Sequence, residues 1–342
     1  MNSLLIDWME RGWLPDTLVR VGIRNLLRRR LNEAKQAALD GTEQQFIASL
    51  SEQPIACETD KANEQHYEVP SAFYEAVLGP RLKYSSCLWP DQVTTLPEAE
   101  DEMLRLTCER AEIQDGMNVL ELGCGWGSLS LWMAQQYPNA QITAVSNSSS
   151  QKAFIDAAAA REDLANLTVI TADMNAFEHA PDTFDRVVSV EMFEHMRNYA
   201  MLMERIAGWL RADGKLFVHI FCHREYTYPF ETNDASDWMG KYFFTGGLMP
   251  AESLLSRFNE HLVVENKWSV NGVHYAETLL AWLRRMDEQR DTLTPFFAET
   301  YGEEDAACWF QRWRVFFMAC EELFRFGKGE EWFVTHQLFR PV

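Results

Sequence analysis

Two carboxylates and an imidazole fall within five residues in Glu191-Met192-Phe193-Glu194-His195-Met196. They follow Asp185-Arg186-Val187-Val188-Ser189-Val190, which has the apolar content of a buried strand. Ionisable groups at the end of such a strand are costly unless they are paired or used. Like charges this close raise one carboxyl group's proton affinity toward that of a useful base near neutral pH. The chemistry implied is removal of a proton from a reacting group, or stabilisation of positive charge on it.

A second stretch suggests what lies beside these groups. In Val119-Leu120-Glu121-Leu122-Gly123-Cys124-Gly125-Trp126-Gly127-Ser128-Leu129 an apolar strand ends, three glycines alternate and a helical pattern opens. Such a strand delivers the chain to the sheet edge where open α/β folds bind ligands. Gly123, Gly125 and Gly127 admit positive φ and let a ligand lie against the backbone. Dinucleotide folds use G-x-G-x-x-G. Here the third glycine comes one residue early, which disfavours a nicotinamide cofactor, and Glu121 can meet a ligand's amino group. An ordinary tight strand-to-helix turn would use the same glycines.

The elements that position these residues alternate from about 115 to 222. Strands are expected at 117–122, 140–145, 167–171, 184–190 and 215–221, with helices at about 127–137, 149–160 and 198–210, which implies a parallel sheet with right-handed crossovers. Leu262 to Val270 and Trp332 to Phe339 read as late strands forming an antiparallel edge, with helical residues 275–327 inserted between them. Residues 1–60 read as helical. Leu4, Leu5, Trp8 and Met9 mark a helix that Gly12 stops, and Pro15-Asp16 starts another. On that second helix Arg20, Arg24 and Arg28 lie four apart, either as a solvated face or as a contact to an anionic surface.

Composition narrows the class. The chain has 342 residues with 51 acidic against 31 Lys and Arg, a formal charge of −20, which argues against nucleic acid and suits neutral or cationic small molecules. With 12 Trp, 10 Tyr and 21 Phe it can line an aromatic cavity as well as build a core. Seven cysteines without a C-x-x-C pair suggest free thiols in a reducing compartment. No apolar run is long enough to span a membrane, and Asp7 and Glu10 stand where a signal peptide would be basic. The expectation is a cytoplasmic protein without a metal. In His219-Ile220-Phe221-Cys222-His223, two His and a Cys lack a fourth ligand at a known spacing.

The glycine pattern resembles the first motif of the class I methyltransferases, which bind S-adenosylmethionine. His66-Tyr67-Glu68-Val69-Pro70, Leu82-Lys83-Tyr84-Ser85-Ser86-Cys87-Leu88-Trp89 and Met192-Phe193-Glu194-His195 resemble one superfamily of that class, the cyclopropane fatty acid synthases. Its coclaurine N-methyltransferase-like branch is the most similar over nearly the whole chain. That likeness includes Arg11-Gly12-Trp13-Leu14-Pro15-Asp16, Phe221-Cys222-His223, Trp282-Leu283-Arg284-Arg285-Met286-Asp287 and Gly329-Glu330-Glu331-Trp332. The resemblance implies an α/β fold of class I (Rossmann-like) type: a mixed seven-stranded sheet with an N-terminal helical segment and a C-terminal helical insertion. An N-terminal helical lid would cover 1–65. The methyltransferase domain would cover 66–342, with helical substrate-side insertions at about 223–260 and 275–327.

By the same resemblance Tyr67, Tyr84 and Ser85 hold the carboxylate end of S-adenosylmethionine, while Glu121, Gly123, Gly125 and Gly127 cradle it. Class I enzymes usually carry an acid after the second strand. Here Ser146-Asn147-Ser148-Ser149-Ser150-Gln151 has none, and the superfamily implies ribose binding by Ser146 and Gln151. A Ser-rich helix cap would read the same way. Asp173 stands at the adenine position, or serves only as a cap.

Two reactions are known in the superfamily. In cyclopropane synthesis a lipid double bond takes the methyl group, and a bound bicarbonate, held by a Cys segment, a Glu, a His and a Tyr, removes a proton. In the coclaurine-type enzymes the nucleophile is an amine, with Glu and His residues stripping its proton. Glu194, His219 and Tyr275 match the remaining bicarbonate ligands. Ser86, however, stands in place of the Cys, and Glu191 stands where the synthases carry Gly. A synthase would also bring a longer N-terminal lipid-binding domain. The expectation is N-methylation of a small, possibly aromatic, amine by catalytic Glu191, Glu194, His195, His219 and Tyr275. A lipid-modifying enzyme that contacts membrane through the arginine stripe is the alternative. The intact Glu194-His195 pair disfavours a non-catalytic binding module.

Overall fold

The computed structural model describes residues 3–57, 70–230 and 238–342. Tyr67, expected at the cofactor, lies outside the described residues, as do His66, Glu68 and Val69. Three helices open the chain: α1 (Ser3–Glu10), α2 (Asp16–Asp40) and α3 (Thr42–Ser49). Pro15 precedes the first turn of α2, and Gly41, at φ +85°, ends it. Two more, α4 (Ser71–Val77) and α5 (Leu96–Arg110), lead to the sheet, and a Thr95/Glu98 capping box starts α5.

The sheet and its crossovers then alternate: β1 (Asn118–Leu122), α6 (Ser128–Gln136), β2 (Gln141–Ser146), α7 (Ser149–Arg161), β3 (Leu167–Thr171), β4 (Phe184–Val190), α8 (Tyr199–Trp209) and β5 (Leu210–His223). A short ribbon, β6 (Tyr228–Pro229) with β7 (Leu248–Met249), brackets the five-residue helix α9 (Trp238–Tyr242). Last come β8 (Leu262–Val270), α10 (Gly272–Glu288), α11 (Arg290–Tyr301), α12 (Ala306–Arg325) and β9 (Trp332–Pro341). The seven strands run in the order β3-β2-β1-β4-β5-β9-β8. The first five are parallel, and β9 joins β5 and β8 antiparallel. This is the mixed seven-stranded class I methyltransferase sheet.

Differences from expectation are local. Strand β5 begins at Leu210 because that residue pairs with Phe184 across a register shift. The expected helical stretch 275–327 is three helices, with Gly302 at φ +92° after the second. Much of 223–260 is ribbon and loop.

Helices α10, α11 and α12 pack with α2 and α4 around one aromatic-rich core that includes Phe73, Trp282, Phe297, Trp313 and Phe317. Part of the arginine stripe of α2 has partners within the molecule. Arg20 pairs with Glu321 and Glu322 of α12, Arg24 pairs with Glu322 at 2.7 Å, and Arg28 donates to Asn25. Arg20 is turned inward and Arg24, though 46% exposed, shares its partner, so both clamp α2 to α12. Glu322, at 8% side-chain exposure, anchors both. Glu322→Ala should therefore destabilise the fold by about 1–2 kcal/mol, seen as a Tm lower by a few degrees. An unchanged Tm would mean that the two ion pairs contribute nothing.

Candidate active site

A cavity of about 800 Å³ lies at the carboxyl edge of the sheet, between the glycine turn and the helices around it. Tyr84, Ser85, Glu121, Gly123, Gly125, Gln151, Glu191, Glu194, His195 and Tyr275 all line it. A smaller hollow of about 70 Å³, lined by Ala56, Ser146, Gln151, Asp173 and His195, shares Gly123 and Gly125 with it. The two form one groove over the turn. Residues 54–57 close its far side, since Ala56 exchanges hydrogen bonds with the Asn175 side chain and Ile55 O accepts from Arg197 N.

The glycine turn is built for close approach. Gly123 has φ +79°, and a Cβ there would meet the Met192 side chain at 2.7 Å. Gly125 has φ +52°, and a Cβ there would point into open space. Gly127, expected at the cofactor, lines neither cavity. Its φ is +83°, and a Cβ would strike Ile155 at 2.7 Å, so its role is to let α6 start tightly against α7.

Buried Glu121 accepts a hydrogen bond from Ser130, and desolvation pushes its carboxyl up to about 8 against the pull of Ser130 and Lys83. An incoming ammonium would restore its charge. Ser128 Oγ, at the start of α6, is buried and unpartnered among the described residues. Ser146 Oγ bonds Gln151 Oε1 at 2.6 Å and accepts from Ser148 N, while the cap of α7 is Ser148. The helix cap is thus Ser148, and Ser146 and Gln151 are left lining the smaller hollow. Asp173 caps its turn through Asn175 N at 2.7 Å and still lines the smaller hollow. An open backbone cradle, a buried carboxyl that needs a cation and an orphan hydroxyl together fit S-adenosylmethionine.

The carboxylate pair is organised more tightly than its sequence shows. Glu191 has φ +49°, a left-handed backbone that suits glycine, and its N–H donates to His219 O at 2.9 Å. Its carboxylate accepts from Ser86 N at 2.9 Å and from Tyr275 Oη at 2.6 Å, and lies 3.2 Å from His219 Nε2. His219 does not line the cavity; it lies behind Glu191. Glu194 is 1% exposed, and its Oε2 has no hydrogen-bond partner among the described residues. Burial raises both carboxyls, and the charge on Glu191 drives Glu194 further up. Nearby Lys83, the Ser86 N–H and the Tyr275 hydroxyl favour the charge on Glu191, which leaves the labile proton on Glu194. Half-buried His195 stacks on Phe244 at 6.3 Å, and both face the cavity.

Two groups were not singled out from sequence. Lys83 is buried, donating to Ser85 Oγ and to Ser86 O at 2.8 Å, which shapes the loop that reaches Glu191. His336 on β9 bonds His219. Its signal was the polar run Thr335-His336-Gln337 in a strand flanked on both sides. By contrast His223 serves a turn: its Nδ1 accepts from Glu225 N and Tyr226 N, and its Nε2 faces Glu331 at 3.1 Å.

Gly125→Ala adds a methyl group to the open side of the cradle at positive φ. It should leave the fold intact at about 1 kcal/mol of strain and weaken S-adenosylmethionine binding by about tenfold or more. Calorimetric titration checks this; undiminished affinity would place the cofactor elsewhere.

The comparisons with known proteins agree with this geometry. Residues 56–332 match the family model described as mycolic acid cyclopropane synthetase. A (S)-coclaurine N-methyltransferase of Thalictrum flavum subsp. glaucum is 39% identical over 98% of this chain and 95% of its own length. The cyclopropane-fatty-acyl-phospholipid synthase of Escherichia coli (strain K12) is 29% identical over 80% of this chain and 66% of its own. A crystal structure of coclaurine N-methyltransferase bound to N-methylheliamine and SAH superposes with a TM-score of 0.93, at 37% identity, covering 98% of both chains. The chain belongs to the mycolic acid cyclopropane synthetase family, on its coclaurine N-methyltransferase-like side, and is an S-adenosylmethionine-dependent methyltransferase.

Proposed function

We infer that this enzyme transfers a methyl group to the nitrogen of a small amine that carries an aromatic ring system. The observation that carries the reading is the occupancy of the Glu191 cluster. The Ser86 segment, His219 and Tyr275 are the groups that the resemblance would assign to bicarbonate, and here all three donate to the enzyme's own Glu191 carboxylate. The bicarbonate-dependent lipid reaction is thereby left without its donors. Coclaurine and pavine N-methyltransferases being among its relatives supports the same reading.

Bound S-adenosylmethionine supplies an electrophilic methyl group on a sulfonium. The chain's own residues do the rest. Phe221, Phe230, Trp238, Phe244, Phe316 and Phe324 line the large cavity and suit a flat apolar ring, with ring faces that also attract a cation. Glu191 provides a fixed negative charge opposite the amine. Glu194 lines the same wall with an unpaired oxygen, and an approaching ammonium lowers its proton affinity. Once its own proton has gone to solvent, the ionised Glu194 accepts the amine proton, so that a lone pair is free to attack, while His195 orients the nitrogen against Phe244. Tyr67 belongs with Tyr84 and Ser85 at the cofactor's carboxylate end, and the described helices ahead of residue 58 act as a lid.

The test uses methyl-labelled S-adenosylmethionine with a panel of cyclic aromatic amines and anionic phospholipid vesicles, with and without bicarbonate. Label is expected on an amine and indifferent to bicarbonate. Label in lipid as a methylene, lost without bicarbonate, would overturn the reading.

The pH dependence has a definite sign. Glu194 keeps its proton where an ordinary carboxyl is ionised, so the base form appears only as pH rises through its raised value. Turnover should climb through that range. Glu191→Gln removes the like charge and should move the Glu194 limb to lower pH, although the maximum rate falls. A limb that stays in place with the same amine would assign it to another group.

A further inference from the structure

Behind the cavity wall four side chains stand in series. Arg110, at the end of α5, bonds His336 Nδ1 through its Nη1 at 2.9 Å. His336 Nε2 meets His219 Nδ1 at 2.9 Å, and His219 Nε2 meets Glu191 Oε1 at 3.2 Å. The two imidazoles face each other because His219 and His336 are direct partners in the β5–β9 pairing. Both are fully buried. The Arg110 guanidinium is half-buried and lies over the Trp268 ring of β8 at 5.1 Å.

We propose that Arg110 and His336 are positioning residues of the methyl-transfer site. Through a one-way hydrogen-bond relay they hold His219 as a neutral Nε2–H donor to Glu191. The argument rests on what each end can do. A guanidinium only donates, and an ionised carboxylate only accepts. His336 Nδ1 must then be the acceptor, so its proton sits on Nε2 and points at His219. That makes His219 Nδ1 an acceptor and puts its proton on Nε2, pointing at Glu191. This is the only arrangement that satisfies all three contacts with both rings neutral.

The relay also forbids protonation. An extra proton on His336 Nδ1 would face the Arg110 N–H, and one on His219 Nδ1 would face the His336 N–H. The surroundings act the same way, since burial opposes charge on His219, the Lys83 and Arg110 cations oppose it further, and Tyr275 approaches Glu191 as a donor. His219 therefore cannot serve as the amine's base. With Ser86 N–H and Tyr275 O–H also pointing at it, Glu191 is saturated by donors and acts as a counter-charge. The proton of the reaction is left to Glu194. The last step rests on the amine reading; the tautomers do not.

The experiment is nitrogen-15 NMR of imidazole-labelled protein, with His219 and His336 assigned by single His→Gln variants. Wild-type protein is expected to carry the proton on Nε2 of both rings from about pH 6 to about pH 9. Arg110→Met should let His336 populate the Nδ1–H form and lower kcat about tenfold or more, with the cofactor KM within about twofold. Arg110→Lys, which keeps a cationic donor, should restore the Nε2–H pattern. A titrating His219, an Nδ1–H form in the wild type, or tautomers unmoved by Arg110→Met would each overturn the relay. A protein that shows the expected tautomers yet methylates no amine keeps the relay and loses the amine reading.

Discussion

A carboxylate taken out of water at the wall of a cavity must be surrounded by donors, and supplying them to Glu191 organises much of this molecule. The donors come from three distant parts of the chain: the amide of Ser86, the imidazole of His219 on β5 and the hydroxyl of Tyr275 on α10. Each is anchored in turn. Cys87 N and Trp89 Nε1 both donate to Thr278 Oγ1, and Trp89 N donates to His274 Nδ1, so the loop that carries Ser86 is stitched to α10. The helical insertion thus covers the cavity and is also tied, residue by residue, to the loop that holds the charge.

The same constraint explains a backbone that would otherwise be unfavourable. A glutamate at φ +49° carries about 1 kcal/mol of strain or more that glycine would avoid. It persists because main chain and side chain are both held: Glu191 N donates to His219 O while its carboxylate takes three donors. The left-handed turn is also what carries the chain from β4 into the short 3₁₀ turn Phe193–His195, which sets Glu194 beside Glu191. One buried charge and one buried proton then share the site, since two charges so close in so dry a place are not both supported.

Much of this arrangement was legible in the sequence, and the part that was not has a physical reason. Strands β3, β4 and β8 ended where their apolar runs end, because a buried strand is bounded by the residues that leave the core. The glycine turn and the Glu191–His195 cluster were visible because their residue types are expensive where they stand. Register between distant strands is not written in either strand alone, so the His219–His336 contact was hidden although both residues lay in expected strands. The arginine stripe of α2 hid its partners for the same reason. Its partners Glu321 and Glu322 lie some three hundred residues away on α12, and a helix shows the spacing of its charges, not what faces them.

That long-range pairing bears on how the enzyme chooses its substrate. Clamps join the N-terminal helices to the C-terminal insertion: Arg20 and Arg24 to Glu321 and Glu322, Arg314 to Asp16, and Arg312 to Glu10, which also accepts from Trp238 Nε1. The cavity lies between these two parts. Leu26 and Leu27 of α2, Phe316 and Leu323 of α12, and Phe244 all line it. The cofactor cradle and the carboxylate pair sit on the sheet edge beneath, in segments held by strand pairing. A residue of α2 can therefore change the shape offered to the substrate without touching a donor of Glu191, whereas α12 packs its Phe324 against Tyr275 at 4.3 Å. The α2 side of the cavity is thus the part that can vary while the charge on Glu191 stays in place.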